Sequence, residues 1–378
     1  MKISKRTDSM PYSSVRKLVP YEKEAVKQGK TVYHLNIGQP DIKTPQSFYQ
    51  AMQEFNQETL EYADSRGEKT LIDAVIKYYD NIDVPLCYED IFITNGGSEG
   101  LLFAFFATMD EGDELLVPQP FYTNYNSVAK MAKIDIKPIV TLSEEGFKLP
   151  SYEEMKKLIT PKTKAFLITN PNNPTGAVFT KEELIVLCEY FTEQNIIIMS
   201  DEIYESINFD FDFVSVASLS PKIYENTILI NGFSKSASMT GWRLGYSATS
   251  KELAKAIGSI QSHMTAHPST ISQQAGITAI RKCKNDVELM RQTYKDRRDY
   301  IVDFFKKWRK LDIIYPQGAF YIFIDISPLK EKIKGKYLSL EFCNDILSKE
   351  KVALVPGQGF FEDDFVRLSY ASSMETIK

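Results

Sequence analysis

Short apolar runs alternate along the chain with longer segments in which apolar residues recur at helical spacing. This alternation is typical of βαβ units and predicts an α/β fold with a mostly parallel sheet. Gly, Pro, Asn or Ser follows each predicted strand within a few residues and favours a turn there. Because ligands of open α/β sheets bind beyond the carboxyl ends of the strands, we expect the functional residues in these turns. The predicted strands are 91–94 (IFIT), 114–117 (ELLV), 165–169 (AFLIT), 196–200 (IIIMS), 227–231 (TILIN) and 243–248 (RLGYSA).

The C-terminal part of the chain has a different pattern. Residues 286–308 carry apolar side chains at helical spacing over a length sufficient to join two domains. Beyond them, 312–326 and 352–370 predict strands and loops of a smaller α+β domain. Ser372 and Glu375 have capping-box spacing and predict a helix start. Since single cores stop growing at about 250–300 residues, a chain of 378 residues predicts a large domain with a smaller companion.

The charge balance argues against nucleic acid or an anionic membrane as a partner. The chain has 45 Lys and Arg against 50 Asp and Glu, a formal charge of −5, and therefore no general basic field. The four cysteines are scattered without C-x-x-C spacing and the three histidines lie apart from acidic or cysteine clusters, which argues against disulfides and a metal site. Residues 1–20 lack a signal-peptide pattern, and no apolar run reaches the ~18 residues of a membrane span. We expect a soluble, cytoplasmic protein with small-molecule partners.

The first turn with candidate chemistry is TNGGSEGL at 94–101, between a predicted strand and a helical run. Gly96 and Gly97 let the backbone approach a ligand closely, and Ser98 can cap the helix while nearby N–H groups point at an anion. This arrangement suits a phosphate group. An ordinary glycine turn is an equally good interpretation of these residues alone.

Two further turns carry polar side chains. In NPNNPTG at 170–176, two X-Pro bonds and a Gly predict an irregular loop, in which one Asn holds the loop and the other faces a ligand. In SDEIY at 200–204, Asp201 ends the most apolar strand. A carboxylate there needs a cationic or hydrogen-bonding partner, although a helix N-cap is the alternative interpretation.

The stretch GFSKSASMTGWRLG at 232–245 places two cations among small residues. Lys235 follows a predicted strand, so its amine is expected at the same sheet edge as Asp201. A desolvated lysine has a lowered pKa and forms a Schiff base with an aldehyde, whereas the guanidinium of Arg243 matches a phosphate. One ligand that carries both groups is pyridoxal 5′-phosphate (PLP), and its ring nitrogen would be the cation that faces Asp201.

These motifs resemble those of the fold type I aminotransferases of classes I and II. The likeness extends over essentially the whole chain, from LNIGQPD at 35–41 to VRLSYASS at 366–373, and the 232–245 stretch agrees with the family's lysine motif at each constrained position. The order and spacing of GGSEG, NPNNPTG, SDEIY and FSK also agree. The resemblance implies a mostly parallel seven-stranded sheet in a large domain, a small α+β domain formed by both chain ends, and a homodimer.

The resemblance also implies domain boundaries. Residues 1–40 would form an N-terminal arm and part of the small domain, 41–285 the large PLP-binding domain, and 286–378 the interdomain helix and the small C-terminal domain. A C-terminal helix that the family places after residue 373 is not found before the sequence ends at Lys378.

The resemblance assigns roles to individual residues. Lys235 would form the Schiff base and carry the proton, Asp201 would pair with the ring nitrogen, and Tyr204 and Asn173 would donate to the phenolic oxygen of PLP. Further residues implied in cofactor or substrate binding are Tyr122 (ring stacking), Gly97, Ser98 and Arg243 (phosphate), Tyr62 (phosphate of the neighbouring subunit), and Arg367 with the backbone of Gly38 (substrate α-carboxylate). Asn173 is implied in substrate binding as well.

Two more departures from the family pattern concern single residues. Gly232 stands where many relatives have a serine that contacts the phosphate, so one hydroxyl contact is missing. Leu71-Ile72 replaces a usual Leu-Arg pair, so an arginine is missing from a supporting helix.

The predicted activity is therefore PLP-dependent transamination in two half-reactions, with a C–S lyase that performs β-elimination as the alternative on the same fold. A cofactor-binding transcription regulator is disfavoured, since only about 30 residues precede LNIGQPD, too few for a DNA-binding domain. By analogy with the family, the expected amino donors are aspartate-like or aromatic, with 2-oxoglutarate as an acceptor.

Overall fold

The computed structural model describes residues 18–378. In chain order its strands are β1 Tyr33–His34, β2 Ile91–Thr94, β3 Glu114–Gln119, β4 Asp135–Val140, β5 Thr163–Thr169, β6 Ile197–Asp201, β7 Thr227–Gly232, β8 Gly245–Thr249, β9 Ile313–Ile314, β10 Tyr321–Asp325, β11 Val352–Ala353, β12 Val355–Pro356 and β13 Phe365–Ser369. Its α-helices are α1 Val19–Lys27, α2 Gln46–Glu54, α3 Lys69–Asp80, α4 Gly97–Thr108, α5 Thr123–Ala132, α6 Tyr152–Leu158, α7 Lys181–Glu193, α8 Pro221–Glu225, α9 Phe233–Ser236, α10 Lys251–Met264, α11 Thr270–Lys282, α12 Lys284–Trp308, α13 Leu338–Glu350 and α14 Met374–Ile377.

The large sheet has seven strands in the order β2-β8-β7-β6-β5-β3-β4. Strand β8 runs antiparallel to both of its neighbours, and the other pairs are parallel. The predicted mostly parallel sheet is therefore confirmed. Strands β2, β5, β6, β7 and β8 are buried along most of their length, as expected for strands with helices on both faces.

Two details of the predicted strands are wrong. The sequence pattern missed β4, because its sequence DIKPIV mixes charged and apolar residues and contains Pro138. Proline is tolerated here because β4 is the edge strand and pairs with β3 alone. The strand predicted at 243–248 begins at Gly245, since Arg243 has a left-handed backbone with φ of 52° and ends a short 3₁₀ turn.

Strand register brings the predicted turns to one edge of this sheet. Thr169 at the end of β5 pairs with Asp201 at the end of β6, and Asp201 pairs with Ile230 of β7. Because β8 is antiparallel, its first residue Gly245 pairs with the last residues of both β7 and β2. The segments that follow β2, β5, β6 and β7 and the one that precedes β8 therefore meet at the same edge.

A second, antiparallel sheet lies in the C-terminal part of the chain, in the order β12-β13-β10-β9. The N-terminal segment packs with it, since β1 pairs with β11 and Leu18 and Leu35 belong to the same apolar cluster as residues of β10. Helix α12 spans Lys284–Trp308, which confirms the predicted long helix. Its Arg297 forms an ion pair of 2.6 Å with Asp41 and so holds the segment that follows Gly38. The domain boundaries at residues 40 and 285 stay a prediction.

The last helix, Met374–Ile377, starts one residue later than the sequence pattern indicated. Its N-cap is Ser373, whose side chain accepts a hydrogen bond from the Thr376 amide, and not Ser372. Within residues 18–378, no helix combines the length and the apolar character needed to cross a membrane.

Candidate active site

Lys235 lies on the short helix α9, directly after β7, with its amine at the sheet edge. Its Nζ donates a hydrogen bond of 2.5 Å to the carbonyl oxygen of Gly38 and lies 5.8 Å from the ring centroid of Phe320. Burial lowers the pKa of this amine to about 8, with help from the positive charges of Arg367 and Arg243, while Asp201 opposes the shift. A lysine that titrates close to neutral pH can act as a nucleophile and a proton carrier.

Asp201 ends β6 close to Lys235 and is held from two sides. Its Oδ2 accepts a hydrogen bond of 2.6 Å from the Tyr125 hydroxyl, and its Oδ1 accepts one of 3.3 Å from the Ile203 amide. Burial raises the pKa of this carboxyl, although Tyr125, the amide and Lys235 favour the charged form. A cation brought next to Asp201 would find a carboxylate already oriented by neutral donors.

Tyr125 is a candidate site residue to which the sequence motifs assigned no role. Its hydroxyl also lies 2.5 Å from Thr169 Oγ1 at the end of β5, and its ring is buried. Tyr122 and Tyr125 are three residues apart where α5 begins and their rings meet edge to face at 5.5 Å. That spacing, which places both rings on one helix face, is the signal that could have found Tyr125.

Arg367 in β13 is buried, with 2 % of its surface exposed, and its guanidinium points into the site. Nη1 donates to Asn173 Oδ1 at 2.9 Å and Nη2 donates to the Asn36 carbonyl at 3.0 Å. Its buried Nε has no hydrogen-bond partner among the described residues. A buried guanidinium with an unused N–H is a strong candidate for binding a carboxylate.

Two of the three asparagines of the 170–176 loop make different contacts, and the predicted role of one of them toward a ligand stays a prediction. Asn172 Oδ1 accepts hydrogen bonds from the backbone amide and the hydroxyl of Thr175 and so fixes the loop. Asn173 faces the guanidinium of Arg367. Asn36 was missed, because its contact with Arg367 uses a backbone carbonyl that any residue type provides.

The glycine turn after β2 contacts Arg243. A Cβ at Gly96, where φ is +86°, would lie 2.9 Å from Nη2 of Arg243, so only glycine fits beside the guanidinium. Arg243 also donates to the carbonyls of Thr240 and Asn95, each at 3.2 Å. Helix α4 begins at Gly97 without a side-chain cap, which leaves its first turn available to an anion.

Ser98 does not cap α4, and that detail of the sequence analysis is wrong. The N-cap is Gly96, and Ser98 is the second helical residue, exposed at the surface. Its hydroxyl remains at the same helix N-terminus as the amide of Gly97.

The two departures from the family pattern have local explanations. A Cβ at Gly232 would lie 2.9 Å from the Cα of Gly245 and 3.0 Å from the Leu244 carbonyl, so the close approach of β7 and β8 favours glycine. Leu71 and Ile72 on α3 are fully buried in an apolar cluster. A charged side chain at position 72 would lose its hydration in this apolar packing, which costs free energy.

Tyr204 and Tyr122 lie at the same site. The Tyr204 hydroxyl is 2.7 Å from that of Tyr321, a residue in β10 that the sequence analysis missed. Tyr122 is partly buried and accepts a hydrogen bond of 2.9 Å from Asn124, and burial raises its pKa to about 12. Charges on Asp201, Arg367 and Arg243 also shift the Tyr122 pKa, so its hydroxyl lies within electrostatic range of all three.

Tyr62 does not lie with the other candidate site residues of its own chain. Its side chain is 89 % exposed and meets only the edge of the His267 ring among its ring contacts, at 5.8 Å between centroids. The predicted role of Tyr62 in a neighbouring subunit therefore stays a prediction.

Comparisons with known proteins decide the family. The profile of "Aminotransferase class I and II" matches residues 30–378. The chain belongs to this aminotransferase family. It is similar to the aspartate aminotransferase of Geobacillus stearothermophilus, with 37 % identity over 382 residues that cover 100 % of this chain and 96 % of the relative.

Solved structures agree with this family assignment. The aspartate aminotransferase of Thermotoga maritima has a TM-score of 0.92 and 35 % identity, covering 99 % of this chain and 96 % of that one. That of Thermus thermophilus with maleate has a TM-score of 0.92 and 33 % identity, covering 100 % and 97 %. The predictions of a fold type I architecture and of a PLP-dependent transaminase are confirmed.

The residues at the sheet edge fit PLP. The Lys235 amine with its lowered pKa suits the aldehyde, and Asp201, whose hydrogen-bond partners are neutral, suits the ring nitrogen. The uncapped start of α4 beside Arg243 suits the phosphate. Each part of the cofactor thus has a matching group in this chain.

Two buried glutamates, Glu202 and Glu205, follow Asp201 within four residues of the chain. Glu202 Oε1 accepts hydrogen bonds from Ser200, Ser215 and the Val216 amide, and Glu205 Oε1 accepts one from Tyr78. The second oxygen of each carboxyl has no partner among the described residues. Burial raises the pKa of Glu202 to about 8, with a contribution from Glu205, and that of Glu205 to about 7.

We expect Glu202→Gln to reduce the loss of folding stability that accompanies a rise in pH. A carboxyl whose folded pKa lies above its unfolded value leaves stability intact at low pH and reduces it as the pH rises from about 4.5 to about 8. Between pH 5 and pH 8, the unfolding free energy of the variant relative to the parent should rise by on the order of 2–4 kcal/mol. Urea titrations at the two pH values measure this, with the exposed Glu193→Gln as the control. An equal difference at both values would contradict a buried proton at Glu202.

Proposed function

We propose that this aminotransferase moves the amino group of an L-amino acid of the aspartate type to a 2-oxo acid such as 2-oxoglutarate. The observation that carries the proposal is the position of Lys235. Its amine, with a pKa near 8, lies close enough to Asp201, Arg243 and Arg367 for all three charges to act on it. PLP carries the aldehyde and the phosphate. Together with an amino acid substrate it would contact all four side chains.

Each residue has a distinct task in this proposal. When bound, PLP supplies an electron sink for the substrate Cα–H bond. Asp201 would keep the ring nitrogen protonated, since a nearby carboxylate favours the charged form, and Tyr204 and Asn173 would donate to the phenolic oxygen. Tyr122 would stack on the ring, and the amide of Gly97, Ser98 and Arg243 would hold the phosphate.

Lys235 and Arg367 act on the substrate. The free amine of Lys235 would accept the proton of the substrate Cα, which its lowered pKa and its position at the sheet edge favour. Arg367 would bind the α-carboxylate through its guanidinium, whose buried Nε has no partner among the described residues, with the backbone of Gly38 beside it. The carboxylate then orients the Cα–H bond, and orientation selects proton loss over loss of the carboxylate.

The aspartate preference is supported by the relatives. Those from Geobacillus and Thermotoga are named aspartate aminotransferases, one from Aquifex aeolicus is named a probable aspartate/prephenate aminotransferase, and a Thermus structure contains maleate, a four-carbon dicarboxylate like aspartate. The test is a panel of amino donors with 2-oxoglutarate. We expect the highest kcat/KM with aspartate and a lower one with aromatic donors. Release of pyruvate and ammonia from a β-substituted donor in place of amino transfer would contradict transamination.

The proposal includes a homodimer in which Tyr62 reaches the phosphate site of the neighbouring subunit. The exposure of Tyr62 and the 56 % exposure of the neighbouring Leu60 support it, because such apolar surface is typical of an interface. Light scattering should give twice the chain mass of 43.2 kDa, and the mass of a single chain would contradict the dimer.

A further inference from the structure

Tyr321 occupies a position between two groups of the site that come from different sheets. In the register of β10 and β13, Tyr321 pairs with Ser369 and Phe323 pairs with Arg367. Tyr321 and Arg367 are therefore diagonal neighbours on one face of the small sheet. The guanidinium carbon of Arg367 lies 4.2 Å from the centroid of the Tyr321 ring, a stacked cation–π contact, with Phe360 at 5.0 Å.

The hydroxyl of Tyr321 reaches the large sheet. It lies 2.7 Å from the hydroxyl of Tyr204, which follows β6, and both rings are buried. In a bond between two hydroxyls one oxygen donates and the other accepts. The proton of the accepting tyrosine is then directed to another acceptor.

The backbone of Gly38 packs against the Tyr321 hydroxyl. A Cβ at Gly38 would lie 2.3 Å from the Tyr321 oxygen, so the backbone there fits tightly against it. The carbonyl of the same glycine accepts the hydrogen bond from Lys235. Tyr321 thus contacts three elements that bear on the reaction: the residue next to the amine, the proposed carboxylate ligand and the proposed donor to the phenolic oxygen.

We propose that Tyr321 is a positioning residue that couples Arg367 to Tyr204. Its ring holds the guanidinium in the plane that binds the substrate carboxylate, and its hydroxyl donates to the Tyr204 oxygen. The Tyr204 proton is thereby directed to the phenolic oxygen of the cofactor. The inference rests on the proposed roles of Arg367 and Tyr204.

The local charges support this order of donors. Burial raises the pKa of the Tyr321 hydroxyl and so keeps it protonated, while the adjacent Arg367 opposes the rise. A nearby cation makes a hydroxyl a stronger donor because it stabilises the charge left on the oxygen. Tyr321 therefore retains its proton and shares it readily with Tyr204.

The variant Tyr321→Phe removes the hydroxyl and keeps the ring, so it tests the hydroxyl alone. The measurement is the pH at which the visible absorption band of the PLP-loaded protein changes. A weaker hydrogen bond from Tyr204 favours the protonated Lys235 nitrogen, so we expect this midpoint to rise by about half a pH unit or more. The KM for the amino donor should change by less than about threefold, because the ring still stacks on Arg367.

A second variant and a control complete the test. Tyr321→Leu removes the ring as well, and its KM should rise by about tenfold or more in addition to the midpoint shift. Tyr370→Phe is the control, since it removes a buried hydroxyl of the same cluster that donates to the Ala319 carbonyl. It should leave the midpoint unchanged.

The outcomes distinguish the inference from the proposed function. An unchanged midpoint in Tyr321→Phe, or an equal shift in Tyr370→Phe, would overturn the role of the hydroxyl, and an unchanged KM in Tyr321→Leu would overturn that of the ring. In both cases a parent protein that binds PLP and transfers amino groups leaves the proposed function intact. A parent that takes up no PLP would instead refute the proposed function.

Discussion

Replacement of Lys235 by alanine should abolish amino transfer and the visible absorption band of the bound cofactor together. The side chain supplies both the nucleophilic amine, which contacts the Gly38 carbonyl, and the proton carrier. Loss of a positioned general base alone costs about 10²–10⁴ in rate, so we expect kcat to fall by at least about 10⁴-fold. Initial rates with aspartate and 2-oxoglutarate, and spectra of the PLP-loaded protein, measure the two effects.

A charge-preserving variant separates the chemistry of Lys235 from its charge. Lys235→Arg keeps a cation at the site, but a guanidinium stays protonated at neutral pH and forms no Schiff base. It should be as inactive as the alanine variant, whereas the exposed Lys222→Ala should keep full activity. Turnover by Lys235→Ala at the parent rate would disprove the assignment.

Much of the large sheet could be predicted because local rules and tertiary structure agree there. Runs such as IFIT and TILIN are short, apolar and followed by turn residues, and the structure forms strands at Ile91–Thr94 and Thr227–Gly232. The sequence pattern did not predict strand β4, because a half-exposed edge strand with Pro138 needs no apolar run. Its stability comes from pairing with β3, which is a tertiary contact.

The candidate site was predictable to the extent that its residues follow strands. Asp201 ends a parallel strand, Lys235 and Asn173 lie within four residues of the end of one, and parallel strands end at one edge of the sheet. Tyr321 could not be found in this way. Its contact with Arg367 depends on the register of β10 and β13, and its contact with Tyr204 on how the small sheet lies against the large one.

Replacement of Arg367 by alanine should raise the KM for the amino donor more than it lowers kcat. Its guanidinium is positioned by Asn173, by the Asn36 carbonyl and by the Tyr321 ring, so a substrate carboxylate would meet donors that are already in place. Two charge-assisted hydrogen bonds of about 1.5–3 kcal/mol each correspond to a fall in kcat/KM of about 10²–10⁴. Steady-state kinetics with aspartate over a wide concentration range measure it.

The variant Arg367→Lys tests whether substrate binding requires the two-pronged hydrogen bonding of a guanidinium or only a positive charge. Lys at position 367 keeps the positive charge but offers a single point of contact, so Arg367→Lys should lose about tenfold or more in kcat/KM, less than the alanine variant. The exposed Arg281→Ala serves as the control and should match the parent. If Arg367→Ala kept the parent KM while still folded, as judged by its thermal midpoint, the substrate carboxylate would have to bind elsewhere. The buried Nε of Arg367 would then have no role in the reaction.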